Sequence, residues 1–284
     1  NRFVKSLTSK YIQGGFCSMF TFKKSTLAVS ADGCGTKLDL ACKYSKLDKI
    51  GIDLVAMNVN DLIAGGAKPL FFMDYIAVDR MEVDKCKKII SGVYAGCKMS
   101  QCDLVGGETA EMKGIYLKDK IDLAGFAVGE KIYDFPRVEQ MNNKCILYGI
   151  RSSGVHSNGY TLVRKLLDNG YVYPIEELLQ PTKIYIELLD IYKKHYASIL
   201  GVSHITGGGF HDNLTRILPD NLCYDLFDWE FPEVFKWIQS SSKLTRKEML
   251  NIFNCGYGMV VIASKEIFHP DLTKIGVLLE FAEL

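Results

Sequence analysis

An α/β chain, α+β-like in its detail and built as two domains, is what this 284-residue sequence predicts. Three observations carry that reading. Apolar, β-branched runs alternate with segments of helical period along the whole chain, the pattern of strands covered by helices. The length exceeds a comfortable single small core and suits about two domains. A polar, proline-bearing break at Lys131 to Asn143 suggests residues 1–134 and 135–284 as the two units.

The elements follow in order. Residues 1–25 read as a short amphipathic start, then Gly14-Gly15-Phe16-Cys17-Ser18, then a lysine-bearing connection. Thr26 to Ala31 is a strand that runs into Asp32-Gly33-Cys34-Gly35-Thr36-Lys37, an acid, two glycines, a hydroxyl and a lysine. Glycines at a strand end let backbone approach a ligand, since no Cβ intervenes. Asp48 to Ala67 has helical period, with Val55, Val59, Leu62 and Ile63 on a core-facing stripe. Asp53, Met57, Asn60, Asp61 and Ala64 share the opposite face. Asn and Asp are mediocre helix formers, so helix propensity did not place them there. Leu70 to Val78 is an apolar strand with one internal acid, Asp74. Glu82 to Met99 is a helix with Val83, Cys86, Ile90, Val93 and Cys97 on one face. Gly106-Gly107-Glu108-Thr109-Ala110-Glu111 reads as a glycine-rich loop before the strand Ile121 to Val128.

The second half opens with the strand Cys145 to Ile150 and the turn Ser152 to Gly159, then the helix Tyr160 to Leu167. A helix over Lys183 to His195 follows Pro181-Thr182. Thr206-Gly207-Gly208-Gly209 precedes a helical turn ending near Pro219. Residues 228–250 place Trp229, Phe235 and Trp237 in helical segments, and Met259 to Ala263 is a strand.

Composition narrows the function classes. Hydrophobic residues at 48% and charged residues at 24% describe an ordinary globular protein. Lys+Arg at 34 nearly balance Asp+Glu at 33, so no net field draws nucleic acid or an anionic membrane. No run of 18 apolar residues occurs, and the start, Asn1-Arg2-Phe3-Val4-Lys5, is not a signal peptide. The lack of a starting Met is as expected of a fragment or a processed form. Nine cysteines form no CxxC pair, and the Cys97–Cys102 spacing suits neither a zinc knuckle nor a redox dithiol. A reduced, cytoplasmic setting is the expectation.

Four loops are competent to hold anions: 32–37, 106–111, 152–159 and 206–209. Backbone N–H groups of glycine turns bind phosphate oxygens without net positive charge. Asp32, Asp61, Glu108 and Glu111, with Asn60, offer hard oxygens for Mg²⁺ bridging nucleotide phosphates. Lys37 is expected to pair with a phosphate and His156 to move a proton or touch one. Glu111 reads equally as a first-turn helix acid, and Cys34 as a small turn residue rather than a nucleophile. No GxxxxGK[ST], HExxH or GxSxG occurs. Gly33 and Gly35 match two glycines of a dinucleotide fingerprint, with Asp53 near its acidic spacing, but Leu38 replaces the third.

These motifs together carry a resemblance. Ala31 to Lys37, Gly51 to Met57, Val59 to Leu62, Pro69 to Phe72, Gly106 to Met112, Ser152 to Tyr160, Thr206 to Phe210 and Phe253 to Gly256 resemble the phosphoribosylformylglycinamidine cyclo-ligase (AIR synthetase) family, collinearly over nearly the whole chain. The resemblance implies ligase chemistry in purine biosynthesis: formylglycinamidine ribonucleotide and ATP give aminoimidazole ribonucleotide, ADP and phosphate. It implies Mg²⁺ as cofactor and a homodimer in which N-terminal strands form an interface barrel. It implies no protein nucleophile, because the substrate amide oxygen attacks the γ-phosphate and a nitrogen then displaces phosphate. Its catalytic positions fall on His156, Asp61 and Lys37. Its nucleotide positions fall on Asp32, Gly33, Gly35, Thr36, Asn60, Gly106, Gly107, Glu108, Thr109, Ser157, Asn158, Gly207 and Gly208. Its metal positions fall on Asp32, Asp61 and Glu108. The chain departs from the family pattern in a late start and in Cys17 within Gly14 to Ser18. The alternatives are a sibling ATP-dependent ligase or kinase, such as formylglycinamidine ribonucleotide synthase or selenophosphate synthetase, or a non-catalytic nucleotide-binding subunit.

Overall fold

Two sheets organise the chain, and one helix joins them. The structure, a computed structural model, describes residues 12–13 and 15–281, so Gly14 of the first glycine pair lies outside the described residues. The first sheet has the order β1-β2-β3-β6-β4-β5. Its strands are β1 (Ile12–Gln13), β2 (Ser18–Phe22), β3 (Ser25–Gly33), β4 (Ala67–Val78), β5 (Asp103–Glu111) and β6 (Ile121–Lys131). All its pairings are antiparallel except β4 with β5. The second sheet, β8-β10-β7-β11-β9, is antiparallel throughout. It contains β7 (Ile146–Arg151), β8 (Ile199–His204), β9 (Leu222–Leu226), β10 (Tyr257–Ala263) and β11 (Thr273–Glu280). The α+β character expected from the sequence is therefore strong in both sheets.

Helix α1 (Lys37–Lys43) leads into α2 (Leu47–Ala64), and α3 (Val83–Met99) packs beside α2. The second half carries α4 (Tyr160–Asp168), α5 (Ile175–Leu178), α6 (Leu188–His195), α7 (Gly209–Thr215), α8 (Glu233–Ser242) and α9 (Arg246–Ile252). Leu54, Val55, Val59 and Leu62 of α2 are wholly buried in the main core. Burial of each such aliphatic side chain contributes about 1.5–3 kcal/mol. At the other end of α2, Ile63 and Ala64 join a second cluster with Phe135, Tyr185 and Tyr192. The Tyr192 hydroxyl donates to the Ile63 carbonyl at 3.0 Å. No helix of the described residues is long and apolar enough to cross a membrane.

Several local expectations change. Residues 106–111 are strand, not loop, because β5 finds a parallel partner in β4 that local sequence does not reveal. Glu111 is accordingly no helix-start acid; it accepts from the Met81 N–H at 2.7 Å and pairs with Lys113. The helix expected from Lys183 begins only at Leu188. Asn60 holds the stretch before it extended, donating to the Lys183 carbonyl at 2.9 Å and accepting from the Tyr185 N–H at 3.0 Å. On α3 the buried position is Ile89, while Ile90 and Val83 are exposed. Trp229 lies outside the helices. Strands β1, β2, β8, β9 and β11 have no counterpart in the sequence reading.

Candidate functional site

One row of residues crosses the first sheet: Asp32 on β3, Gly125 on β6, Asp74 on β4 and Gly107 on β5. Residues paired across a sheet point to the same face. The face is the one covered by α2, since a Cβ on Gly125 would lie 2.6 Å from the Asn58 Nδ2. A Cβ on Gly107 would collide with the Asp74 carboxylate at 1.9 Å, so the glycine makes room for the acid. Burial raises the pKa of Asp74. Three strand spacings of about 4.8 Å put Asp32 and Gly107 on the order of 14 Å apart.

Glu108 is out of phase with this row. It pairs with Tyr75, which pairs with Ala124, so its carboxylate leaves the sheet on the opposite face from Asp32. Gly106, opposite Met73, shares that other face, whereas Thr109, opposite Ile76, returns to the covered one. Within one chain the expected Asp32–Asp61–Glu108 triad is not assembled. Among the described residues no three His, Cys, Asp or Glu side chains form a metal-holding group.

Asp32 and Asp61 lie in one neighbourhood: Asn58, three residues before Asp61 on α2, is hydrogen-bonded to the Asp32 backbone. Desolvation raises the pKa of Asp32, the Gly33 N–H (2.7 Å from Oδ1) opposes that rise, and repulsion from Asp61 adds to it. The Asp61 Oδ1 lies 2.9 Å from the Nδ1 of His204, a buried ring whose Nε2 has no partner. Beneath Asp32, the fully buried Asn58 donates to the Asp32 carbonyl at 3.3 Å and leaves its Oδ1 unpaired. A cation held near both carboxylates would relieve the repulsion that Asp32 feels from Asp61. Mg²⁺ takes one or two carboxylates and completes its shell with water and phosphate, which these hard oxygens fit.

Three of the expected loops converge here. The turn at Gly35 sits against residue 157, with the Ser157 carbonyl 3.6 Å from where a Gly35 Cβ would be. Thr36 and Thr161 bring their hydroxyls to 3.4 Å. Gly207 faces Asn158, whose Oδ1 would stand 3.2 Å from a Cβ there. Gly208 and Gly209 adopt positive φ, and the buried Asn213 fixes the loop by donating to the carbonyls of Gly207 at 3.2 Å and Gly209 at 2.7 Å. His204 and Asn213 escaped the sequence reading. A histidine two residues before Thr206-Gly207-Gly208-Gly209 was the available signal for the first; nothing local marks the second.

Other expected contacts turn inward. Lys37, expected to meet phosphate, is buried; its ammonium donates to Asp53 at 2.9 Å and to the Gln180 carbonyl at 2.6 Å. Asp53 also accepts from the Ser157 hydroxyl at 3.1 Å and the Thr182 N–H at 2.8 Å. The polar stripe of α2 is thus largely a seam to the second half: Asp53 meets 157 and 182, Asn60 meets 183 and 185, and Asp61 meets His204.

His156 is also enclosed rather than presented on a turn surface. Its Nε2 accepts from the Ser153 N–H at 3.2 Å, and its Nδ1 is unpaired. Burial pushes its pKa well below the usual histidine value, with repulsion from His204, Lys37 and Lys183 in support. The folded ring stays neutral below about pH 6.5, where the unfolded chain takes up a proton. Its contribution is complete above that pH and is lost as pH falls toward the folded pKa, at up to about 1.4 kcal/mol per pH unit. Urea midpoints should therefore drop between about pH 7.5 and about pH 5.5 in the wild type and drop less in His156→Asn. Asparagine suits the positive φ at this position. Equal drops in both proteins would place the proton uptake elsewhere.

Comparison with known proteins follows the same layout. Residues 14–130 match the AIR synthase related protein, N-terminal domain, and residues 144–268 match the AIR synthase related protein, C-terminal domain. The phosphoribosylformylglycinamidine cyclo-ligase of Bacillus cereus (strain B4264) is 46% identical over 276 residues, covering 89% of this chain and 79% of that protein. The enzyme of the same name from Bacillus mycoides (strain KBAB4) has the same identity and coverage, 46%, 89% and 79%. Among solved structures, AaThiL complexed with AMPPCP and TMP superposes with a TM-score of 0.75 at 18% identity, over 98% of this chain and 89% of that one, a likeness of fold. With both domain models matched in order and near-half identity sustained across most of its length, the chain belongs to the phosphoribosylformylglycinamidine cyclo-ligase family.

Proposed function

We propose that this chain closes the imidazole ring of a purine precursor: formylglycinamidine ribonucleotide and ATP become aminoimidazole ribonucleotide, ADP and phosphate. The observation that carries the reading is the convergence of three glycine-bearing turns beside the stretch of α2 where Asn58 holds the Asp32 strand end and Asp61 holds His204. The phosphates of ATP would lie against the backbone of the turns at 34–36 and 206–208, whose N–H groups can donate to an anion. Asp32 and Asp61 would hold Mg²⁺, which when bound would supply charge neutralisation for the transferred phosphoryl group. The substrate amide oxygen attacks the γ-phosphorus, ADP leaves, and the amide nitrogen gives up its proton. A second substrate nitrogen then forms the ring C–N bond, phosphate leaves with the former amide oxygen, and a proton is released. No side-chain nucleophile takes part. What the protein supplies is position and electrostatics.

His204 orients the Asp61 carboxylate, and Asn58 fixes the strand end that presents Asp32. The buried Lys37, Asp53, Ser157 and His156 act as the frame beneath the turns, while Thr36, Asn158, Gly207 and Gly208 line the nucleotide side. The purified chain with Mg²⁺ should release ADP and phosphate in equal amounts only when formylglycinamidine ribonucleotide is present. ATP binding without turnover, or turnover with a different acceptor, would overturn the reading in favour of a nucleotide-binding subunit or a sibling kinase.

The uncovered face of the first sheet supports a homodimer. Met73, Tyr75, Val105 and Phe126 stand on it, each at least 39% exposed, a contiguous apolar patch of the kind that marks an interface. A second copy laid against it brings Glu108 to the border between chains, the setting in which its carboxylate serves a nucleotide site. Light scattering should give twice the mass of the chain, and Phe126→Asp should give the monomer. A monomeric wild type would remove this part of the proposal.

A further inference from the structure

Away from Asp32 and Asp61, a cavity of about 390 Å³ opens between α1, the start of α3 and the segment leading into β6. Its walls carry Lys43, Lys85, Lys88, Lys118 and Lys120. Five lysines in one concavity stand out on a chain whose net charge is only +1. Two acids face them. Asp39 is already neutralised, paired with Lys120 and with Arg164 at 2.6 Å. Asp119 is the other, and it lies near Lys85. Lys85 itself pairs with Glu82 at 2.6 Å, and Lys43 reaches Asp168 at 3.5 Å. Lys88 and Lys118 make no hydrogen bond or ion pair among the described residues, so their charge is available. Cys42, Leu47 and Ile121 give the cavity an apolar part.

The cavity is not isolated. Asp39, Cys42, Lys120 and Ile121 also line a second groove, of about 310 Å³, that reaches Gly35, Thr36 and Arg164. Helix α1 separates Thr36 from Lys43, and its seven residues at about 1.5 Å each span roughly 10 Å. The two hollows adjoin along Asp39, Cys42, Lys120 and Ile121, forming a trough between the glycine turn of the proposed active site and the lysine cluster, with the Asp39–Lys120 ion pair at their shared border. Cavities of this size hold small molecules, and clustered ammonium groups in a concave wall raise the local concentration of anions.

We infer that the lysine-lined cavity binds a phosphate group carried by a small molecule. Two sources share that chemistry: the phosphate of the ribonucleotide substrate, laid along the trough with its reacting end at Gly35 and Thr36, or a separate phosphorylated effector. The first source rests on the proposed function; the existence of the anion site does not.

The test uses the full chain and its Lys88→Gln/Lys118→Gln variant. Both lysines are exposed, so the variant should unfold at the wild-type urea midpoint. With ribose 5-phosphate as the probe in a calorimetric titration, the wild type should bind saturably and more weakly as salt rises, and the variant should lose about tenfold or more in affinity. An undetectable signal with the wild type, or equal affinity in the two proteins, would overturn the inference whether or not the enzyme turns over. Steady-state kinetics then separate the sources. A raised KM for the ribonucleotide with an unchanged KM for ATP supports the site and assigns it to the substrate. Unchanged KM values together with the lost probe affinity support it and assign it to an effector.

Discussion

Asp61→Asn is expected to lower ATP-dependent turnover by about a hundred- to a thousandfold while leaving the fold nearly as stable as the wild type. The two effects separate because Asp61 does two things. Its Oδ1 is bound to the Nδ1 of His204 at 2.9 Å, and an asparagine oxygen can accept from the same nitrogen. The shape and the hydrogen bond survive, so the stability change should stay within about 1 kcal/mol. What is lost is negative charge that Asp32 feels, and with it one of the two acids proposed to hold a cation against the phosphates. Removing a cation holder withdraws several kcal/mol of transition-state stabilisation. The same change relieves the repulsion that helps raise the Asp32 pKa, which should fall toward the ordinary carboxylate range. Release of ADP and phosphate at saturating Mg²⁺, measured beside a urea titration, distinguishes the outcomes. A rate within about threefold of wild type would remove Asp61 from the cation site.

Much of the layout is legible in the sequence because local pattern determines it. The β-branched run before Asp32 is β3, and the period from Asp48 onward marks α2 to within a few residues. The readings that fail are those decided by distant partners. Gly106 and Gly107 look like loop, yet β4 takes the segment as a parallel strand, and Gly107 serves to clear the Asp74 side chain. Lys183 to Glu187 continues a helical pattern, yet Asn60 of α2 captures its backbone in an extended form. Glu108 belongs to the same motif as Gly107, and pleat alternation alone sends it to the other face. Asp53 and Lys37 carry the residue types of a nucleotide site and spend them on each other.

That last pair gives the second large effect. Lys37→Met should destabilise the chain by about 3–5 kcal/mol, because it leaves the Asp53 carboxylate buried without a counter-charge. Both side chains are almost fully inaccessible, at 1% and 0% exposure. Burial pulls the Lys37 pKa down, and the attraction of Asp53 opposes that fall. Asp53 keeps the Thr182 N–H and the Ser157 hydroxyl when the lysine is gone, but its Oδ2 already has no partner. The loss reaches further than one contact, since the ammonium also holds the Gln180 carbonyl and lies over the Tyr160 ring at 5.5 Å. This small network ties α1 and α2 to residues 157, 180 and 182 of the second half. Adding Asp53→Asn to Lys37→Met should restore part of the stability, because an amide needs no counter-charge, so the double variant should lose less than the two single losses combined. Equilibrium urea unfolding of the three variants measures this directly. If Lys37→Met unfolds within about 1 kcal/mol of wild type but abolishes turnover, the lysine reaches phosphate during the reaction and the clamp is secondary.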